Sequence, residues 1–190
     1  MAQQLDLLIG ADSRLLDLAG RVDADVLAAP SPCAGWSFAS VLSHTLQTIE
    51  VFSAAADGGP GPSEAELFGG DDIVGSDPAG VARTIVERSH AAWNAVSDWD
   101  SPVRTALGEI PAGQAIAIVT YSTLVHSWDL ARAMGETVEF NGAEAGLAEA
   151  VGGQLVPTMR PSGLFGPEQP TSPDATPTER VIAFSGRIAI

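Results

Sequence analysis

Apolar residues in the first third of the chain recur every three or four positions, the period of one face of an α-helix. The first such stripe covers residues 5–26 and predicts an amphipathic helix that ends before Pro30, because proline cannot continue a helix. A second stripe follows Ser37, a residue type that caps helix N-termini, and predicts a helix over about 37–56. His44 lies at the margin of this second stripe.

The middle of the chain alternates between segments rich in turn-forming residues and segments with a regular pattern of apolar residues. Residues 57–77 are rich in glycine, proline and acids, which predicts a long mobile loop of the kind that often covers a site. Asp77 as N-cap and Pro78 in the first helical position predict a third helix. On that helix His90 points away from the apolar stripe, toward solvent. Residues 101–113 look extended and predict a short hairpin.

The second half begins with the most apolar segment of the chain. Residues 115–134 carry apolar groups all round, which predicts a helix buried on most faces and ended by Gly135. A weaker pattern predicts a helix over about 143–159, and a last short one follows between Pro177 and Gly186. These patterns predict an all-α fold with a short hairpin and additional C-terminal helices.

Length and composition favour one compact domain. The chain has 190 residues, of which 45% are hydrophobic, enough for a full core. We expect a single domain over residues 1–190, with a bundle core over about 1–135 and a C-terminal strap over about 136–190.

Charge and cysteine content limit the partners and the compartment. The formal net charge is −15, so the field of the protein repels nucleic-acid phosphates and anionic lipid surfaces. No apolar run approaches the roughly 20 residues that a membrane-spanning helix needs. The one cysteine cannot form an internal disulfide, and the first residues lack the basic and apolar regions of a signal peptide. We therefore expect a cytoplasmic protein.

Small and polar side chains share one face of the predicted long helix, because offsets of three, four and seven residues return to the same side. The members of this face are Ala115, Ile118, Val119, Ser122, His126, Asp129 and Ala133. Such a face would line a cavity. With His44 from the second helix, it brings two imidazoles and a carboxylate within reach of one point. Those groups can bind zinc, nickel or iron and leave positions open for water or substrate.

Simpler interpretations of these residues stay open at this point. Asp129 would pair with Arg132 one turn further along, while His126 would be a core histidine bonded to a carbonyl group. His44 alone would be a surface or interface histidine.

Two further residues have both a chemical and a structural interpretation. Arg104 could bind an anionic substrate group, but an exposed, solvated arginine is the favoured interpretation. Cys33 precedes a helix N-terminus, where the helix dipole favours a thiolate. Its neighbours favour a buried, structural cysteine instead.

Several segments carry a resemblance to a known family. They are the run Pro-Cys-Ala-Gly-Trp-Ser at 32–37, the histidine at 44, the run Leu-Val-His-Ser-Trp-Asp-Leu-Ala-Arg-Ala at 124–133, and Phe-Ser-Gly-Arg at 184–187. Their order and spacing resemble the mycothiol-dependent maleylpyruvate isomerase N-terminal group of the DinB-like superfamily. The last run resembles the closing segment of a short, uncharacterised metal-binding branch of that group.

The resemblance implies a DinB-like four-helix bundle with a divalent metal, usually zinc or nickel, held by three side chains at one end. By position, His44 and His126 match two of the ligands. The third ligand of the family is a carboxylate or histidine four residues before the second histidine, and that position is Ser122 here. Asp129 could replace it as a ligand or could orient His126 as an outer acceptor. A third interpretation is that this chain has lost the metal.

The resemblance also implies an activity that depends on a low-molecular-weight thiol such as mycothiol or bacillithiol. A bound cation lowers the pKa of a coordinated thiol, and the thiolate adds to an activated double bond in an isomerase or stays on the product in an S-transferase. Asp129 is the candidate catalytic base or orienting acceptor. The alternative is a non-catalytic bundle with a degenerate metal site that binds a small ligand or dimerises. A small-molecule substrate is therefore expected, and exposed bundle faces favour a homodimer.

Overall fold

The computed structural model describes residues 2–69 and 71–188, which are mostly helical. In chain order the elements are α1 (Ala2–Ala19), α2 (Ala24–Ala28), α3 (Phe38–Asp57), α4 (Glu64–Gly69), α5 (Pro78–Ala95), β1 (Pro102–Thr105), β2 (Gly108–Pro111), α6 (Ala112–Ala133), α7 (Gly142–Met159), a 3-10 helix (Arg160–Ser162) and α8 (Pro177–Phe184). The strands β1 and β2 pair as an antiparallel hairpin. The predicted fold class, all-α with a hairpin and short C-terminal helices, is confirmed.

Four long helices build the bundle of the first part of the chain. Helices α1 and α3 each pack against both α5 and α6, so the four surround one core. Fully buried side chains from each helix fill it, among them Leu15, Leu46, Trp93 and Leu124. Burial of such a side chain stabilises the fold by roughly 1.5–3 kcal/mol. This core holds the helices that carry the candidate site residues.

The chain divides into two compact units, Met1–Glu136 and Thr137–Ile190. The first unit contains α1 to α6 and the hairpin. In the second unit α7 packs against α8, and the Phe140 N–H donates to Thr178 Oγ1 over 2.7 Å. The single domain over residues 1–190, with a bundle core and a strap, stays a prediction.

Helix starts agree with the capping residues of the sequence. Helix α3 begins after Ser37, whose hydroxyl accepts from the Ser40 N–H, and α5 begins after Asp77, whose carboxylate accepts from the Gly80 N–H. These side chains satisfy N–H groups that have no partner within the helix. The predicted helices at 37–56 and after Asp77 are confirmed.

The first predicted helix, over residues 5–26, is wrong in its continuity, because a break at residues 20–23 divides it. Helix α1 ends at Ala19, and α2 starts separately at Ala24. Gly20 follows α1, and glycine disfavours helix continuation by about 1 kcal/mol relative to alanine. The Asp23 carboxylate then accepts from the N–H groups of Asp25 and Val26 and starts the new helix.

The predicted loop at 57–77 contains the short helix α4. Ser63 precedes α4, and its N–H donates to Glu66 Oε2 over 2.7 Å. In return, the Glu66 N–H donates to the Ser63 hydroxyl over 3.3 Å. This is a capping box, which marks a helix N-terminus. The prediction of a loop missed it because it considered only the composition of the segment. Among the described residues, no helix is long and apolar enough to cross a membrane.

Candidate metal centre

The turn before α3 holds Cys33 in a fixed position. The Cys33 N–H donates to the Ser31 hydroxyl over 3.1 Å, and that hydroxyl donates to the Trp36 carbonyl over 2.8 Å. The Trp36 N–H in turn donates to the Cys33 carbonyl over 2.9 Å. Gly35 completes the turn at a φ of 81°, a conformation that favours glycine. The thiol therefore stands on a braced loop.

Helix α6 brings His126 and Asp129 together, because residues three apart lie on the same side of a helix. His126 Nδ1 lies 2.9 Å from Asp129 Oδ2, and the Asp129 side chain is fully buried. The Cys33 thiol donates to the same oxygen over 3.3 Å. One buried carboxylate oxygen thus contacts an imidazole and a thiol.

His44 on α3 stands beside this group. Its ring centroid lies 5.2 Å from that of His126, at 88° between the ring planes. The Trp36 ring contacts His44 edge-on, with the centroids 5.1 Å apart. His44 Nδ1 lies 2.8 Å from the Leu67 carbonyl oxygen of α4. The segment predicted as a covering loop therefore contacts a candidate site residue.

These hydrogen bonds determine which ring nitrogens can bind a metal. A carbonyl oxygen only accepts, so His44 Nδ1 donates to it, and in a neutral ring this leaves the lone pair on Nε2. A neutral His126 ring that donates from Nδ1 to the Asp129 carboxylate would have the same tautomer. Metal-binding histidines commonly have their second nitrogen fixed in this way by a carbonyl or carboxylate.

The closest group of candidate ligands includes a residue that the sequence did not favour. One ligand atom each of Cys33, His126 and Asp129 lies within 4.8 Å of the others. His44 is not a member of this group, although its ring is adjacent to His126. Cys33 was expected to be buried and structural; it is half-buried, and its thiol contacts Asp129. Its place before a helix cap was the available signal, but the partner lies 96 residues away.

The structure also bears on the simpler interpretations. His126 Nδ1 contacts a carboxylate rather than a backbone carbonyl. The Arg132 guanidinium lies 6.0 Å from the Trp128 ring centroid. Arg104 is exposed in the hairpin, 3.6 Å from Glu109, as the favoured interpretation had it. Ser122, at the family's third ligand position, is half-buried one turn before His126.

His90 does not point simply to solvent, and that prediction is wrong. Its Nε2 lies 3.0 Å from Oδ2 of Asp12 on α1. The Asp12 side chain is fully buried, whereas the His90 side chain is 27% exposed. Burial raises the pKa of the Asp12 carboxyl, and the hydrogen bond and charge of His90 oppose this with a smaller effect. Periodicity misplaced His90 because its partner lies on another helix.

Two curated proteins resemble this chain over most of their length. One is Uncharacterized protein Rv0738 of Mycobacterium tuberculosis strain H37Rv, and the other is its counterpart in strain CDC 1551 / Oshkosh. Each is 28% identical over 172 residues, which cover 90% of this chain and 90% of the relative.

Solved structures and a family profile agree on the fold. The crystal structure of the mycothiol-dependent maleylpyruvate isomerase superposes with a TM-score of 0.64 at 19% identity, over 83% of this chain and 71% of that one. A histidine-to-alanine mutant of that isomerase gives 0.62 at 20% identity, with the same coverage. The fold is thus the expected DinB-like helical one. Residues 9–131 match the family described as the mycothiol maleylpyruvate isomerase N-terminal domain. The chain therefore belongs to the mycothiol maleylpyruvate isomerase N-terminal domain family.

Proposed function

We propose that this protein is a divalent-metal-dependent enzyme that uses a low-molecular-weight thiol, such as mycothiol, in an isomerase or S-transferase reaction. Zinc or nickel is the proposed metal, with His44, His126 and Asp129 as the groups that hold it. The observation that carries the proposal is the pairing of two adjacent imidazoles, each with Nδ1 within hydrogen-bond distance of an oxygen, beside a buried carboxylate.

The donor set fits such an ion. Imidazole nitrogen suits zinc and nickel, and a buried carboxylate adds the negative charge that a divalent cation needs. Asp129 supplies that charge with its side chain fully buried. When bound, the cation would lower the pKa of a coordinated thiol enough for thiolate to form near neutral pH.

The side chains of the chain have distinct proposed roles. Asp129 holds the His126 ring in one orientation through Nδ1 and is the candidate acceptor for a proton during the reaction. The Leu67 carbonyl does the same for the His44 ring. Helix α4 contacts that ring through the Leu67 carbonyl and would restrict water on that side of the site. A cytoplasmic location and a homodimer remain predictions of the sequence.

Metal analysis followed by an assay tests this proposal. Protein purified without a histidine tag should contain about one zinc or nickel ion per chain by mass spectrometry. The loaded protein should then isomerise maleylpyruvate, or transfer a thiol to a related unsaturated acid, only when mycothiol is present. His126→Ala should lose metal and activity, whereas Arg104→Ala, in the exposed hairpin, should keep both. A metal-free protein that also rejects added zinc and nickel would refute the proposal.

A second candidate function rests on Ser122. A neutral hydroxyl is a weaker ligand than the carboxylate or histidine of the family pattern. The chain would then be a bundle that binds a small ligand, such as the thiol itself, without turning it over. Calorimetry with mycothiol and metal-free protein tests this function. Binding of the thiol without metal and without reaction would favour it over the enzyme.

A further inference from the structure

We propose that Cys33 is a ligand of the metal in this site and makes up for the missing charged group at Ser122. The inference rests on the proposed function, since it concerns the same ion. It adds a fourth protein ligand to His44, His126 and Asp129, from a segment that precedes the bundle helix α3 and is far in sequence from α6.

The positions of the donor atoms support a shared ion. Metal–ligand bonds of about 2.0–2.3 Å place the ligand atoms of a tetrahedral zinc ion about 3.3–3.8 Å apart. Cys33 Sγ and Asp129 Oδ2 are 3.3 Å apart, close to that separation. In this arrangement His126 binds the ion through Nδ1 and carries its proton on Nε2. His126 Nδ1 and the same oxygen are 2.9 Å apart, so the direct hydrogen bond between them gives way to the ion and the two atoms separate by about half an ångström. No pair in the group exceeds 4.8 Å.

The chemistry of the contacts points the same way. The described hydrogen bonds to Asp129 Oδ2 come from a thiol and an imidazole, and both groups become metal ligands when they lose a proton. Formation of the metal–sulfur bond would release the Cys33 proton to the buffer. The resulting thiolate and the Asp129 carboxylate together would balance the two positive charges of the ion. A hydroxyl at Ser122 supplies no such charge.

The turn around Cys33 makes the ligand rigid. Its amide and carbonyl are both engaged by Ser31 and Trp36, so the thiol reaches Asp129 without a loose loop. Rigid placement lowers the entropy lost when an ion binds. Cys33, His126, Asp129 and His44 would fill a tetrahedral site, and an added small thiol would bind as a fifth ligand.

Cobalt substitution tests the inference, because Cys33 is the single cysteine of the chain. The full-length protein is stripped of metal, kept reduced with a phosphine rather than a thiol, and titrated with Co²⁺. We expect one Co²⁺ per chain and a sulfur-to-cobalt charge-transfer band in the near ultraviolet that saturates at the same point. X-ray absorption spectroscopy of the zinc form should show a sulfur atom about 2.3 Å from the zinc ion.

Two variants complete the test. Cys33→Ser and Cys33→Ala should lose the band and bind Co²⁺ at least tenfold more weakly, with helical circular dichroism unchanged. One bound Co²⁺ in the wild type without the band would overturn the role of Cys33 and leave the proposed function standing. Failure of the wild type to bind Co²⁺, Zn²⁺ or Ni²⁺ would overturn both. The wild-type spectrum decides the question even if a variant fails to fold.

Discussion

Two histidine–aspartate pairs in the first unit have nearly the same geometry. The distance is 2.9 Å for His126–Asp129 and 3.0 Å for His90–Asp12, and both aspartate side chains are fully buried. The histidine side chains are 14% and 27% exposed, respectively. The pairs differ in their neighbours. A thiol and a second imidazole adjoin the first pair, whereas within residues 2–69 and 71–188 no close group of three metal-ligating residues includes the second.

The comparison separates a site from a structural contact. The His90–Asp12 pair joins α5 to α1, and a hydrogen bond to a charged group stabilises a fold by about 1.5–3 kcal/mol. Asp12 Oδ1, however, is buried with no hydrogen-bond partner in the described part of the chain. An unsatisfied buried acceptor costs about 1–3 kcal/mol, which opposes that stabilisation. A His–Asp pair alone therefore indicates neither function nor large stability.

The largest expected difference is in metal content. His126→Ala should lower zinc affinity by more than about a hundredfold, because a direct ligand contributes more than the outer partners whose loss costs about 10–100-fold. His90→Gln, which changes the other pair and keeps a donor near Asp12, should retain the wild-type metal content. Equilibrium dialysis against a zinc indicator measures both. Equal losses in the two variants would remove the distinction between the pairs.

Substitution of the aspartates should show the same contrast, with a larger loss of zinc affinity at Asp129 than at Asp12. Asp129→Asn replaces a charged ligand with a neutral amide whose carbonyl oxygen can still contact the ion, so we expect zinc affinity to fall by about 10–100-fold rather than by the larger factor of a lost ligand. Asp12→Asn is the matched variant, with the same change of charge in an equally buried position. It should change zinc affinity by no more than about twofold relative to the wild type. A tenfold change would correspond to about 1.4 kcal/mol. A weaker effect at Asp129 than at Asp12 would contradict the site assignment.

A gain of affinity is expected from Ser122→Glu. The substitution places a carboxylate one turn before His126, at the position where the family resemblance has its third ligand. We expect zinc affinity to rise by about tenfold, which corresponds to 1.4 kcal/mol. Ser122→Gln is the uncharged control and should give a much smaller change. No gain with the glutamate would mean that the groups already present complete the coordination.

The sequence predicted what depends on neighbours along the chain. His126 and Asp129 are three residues apart, so helical periodicity alone put them on one face. Ser37 and Asp77 likewise marked the starts of α3 and α5, because capping is local. The capping box of Ser63 and Glu66 was equally local, and the count of glycines and prolines in that segment concealed it. Local signals therefore account for most of the bundle.

Helical periodicity could not predict contacts between segments that are far apart in the sequence. Cys33 meets Asp129 across 96 residues, and His90 meets Asp12 across 78. A helical pattern gives the direction of a side chain relative to its own apolar stripe, and the partner depends on how the helices pack. This is why His90 was expected in solvent and Cys33 in a structural role.

The smallest expected effect is the pH dependence of stability that Asp12 of the His90–Asp12 pair causes. Burial gives the Asp12 carboxyl a higher pKa in the folded protein than its ordinary value of 3.8. The folded state therefore holds this proton more tightly than the unfolded chain does. The stability that the protonated group contributes is present below pH 3.8 and is lost as the pH rises through the folded-state pKa.

Asp12→Asn should remove this pH dependence. The free energy of unfolding of the variant, measured relative to the wild type by urea titration, should increase as the pH rises through that window. One proton limits the slope to about 1.4 kcal/mol per pH unit. Asp6→Asn, which removes an exposed carboxyl from the same helix, controls for the change in net charge. If this difference in the free energy of unfolding stays constant or falls as the pH rises, His90 has a larger effect on the pKa of Asp12 than burial has. The two pairs would then both hold an ionised aspartate.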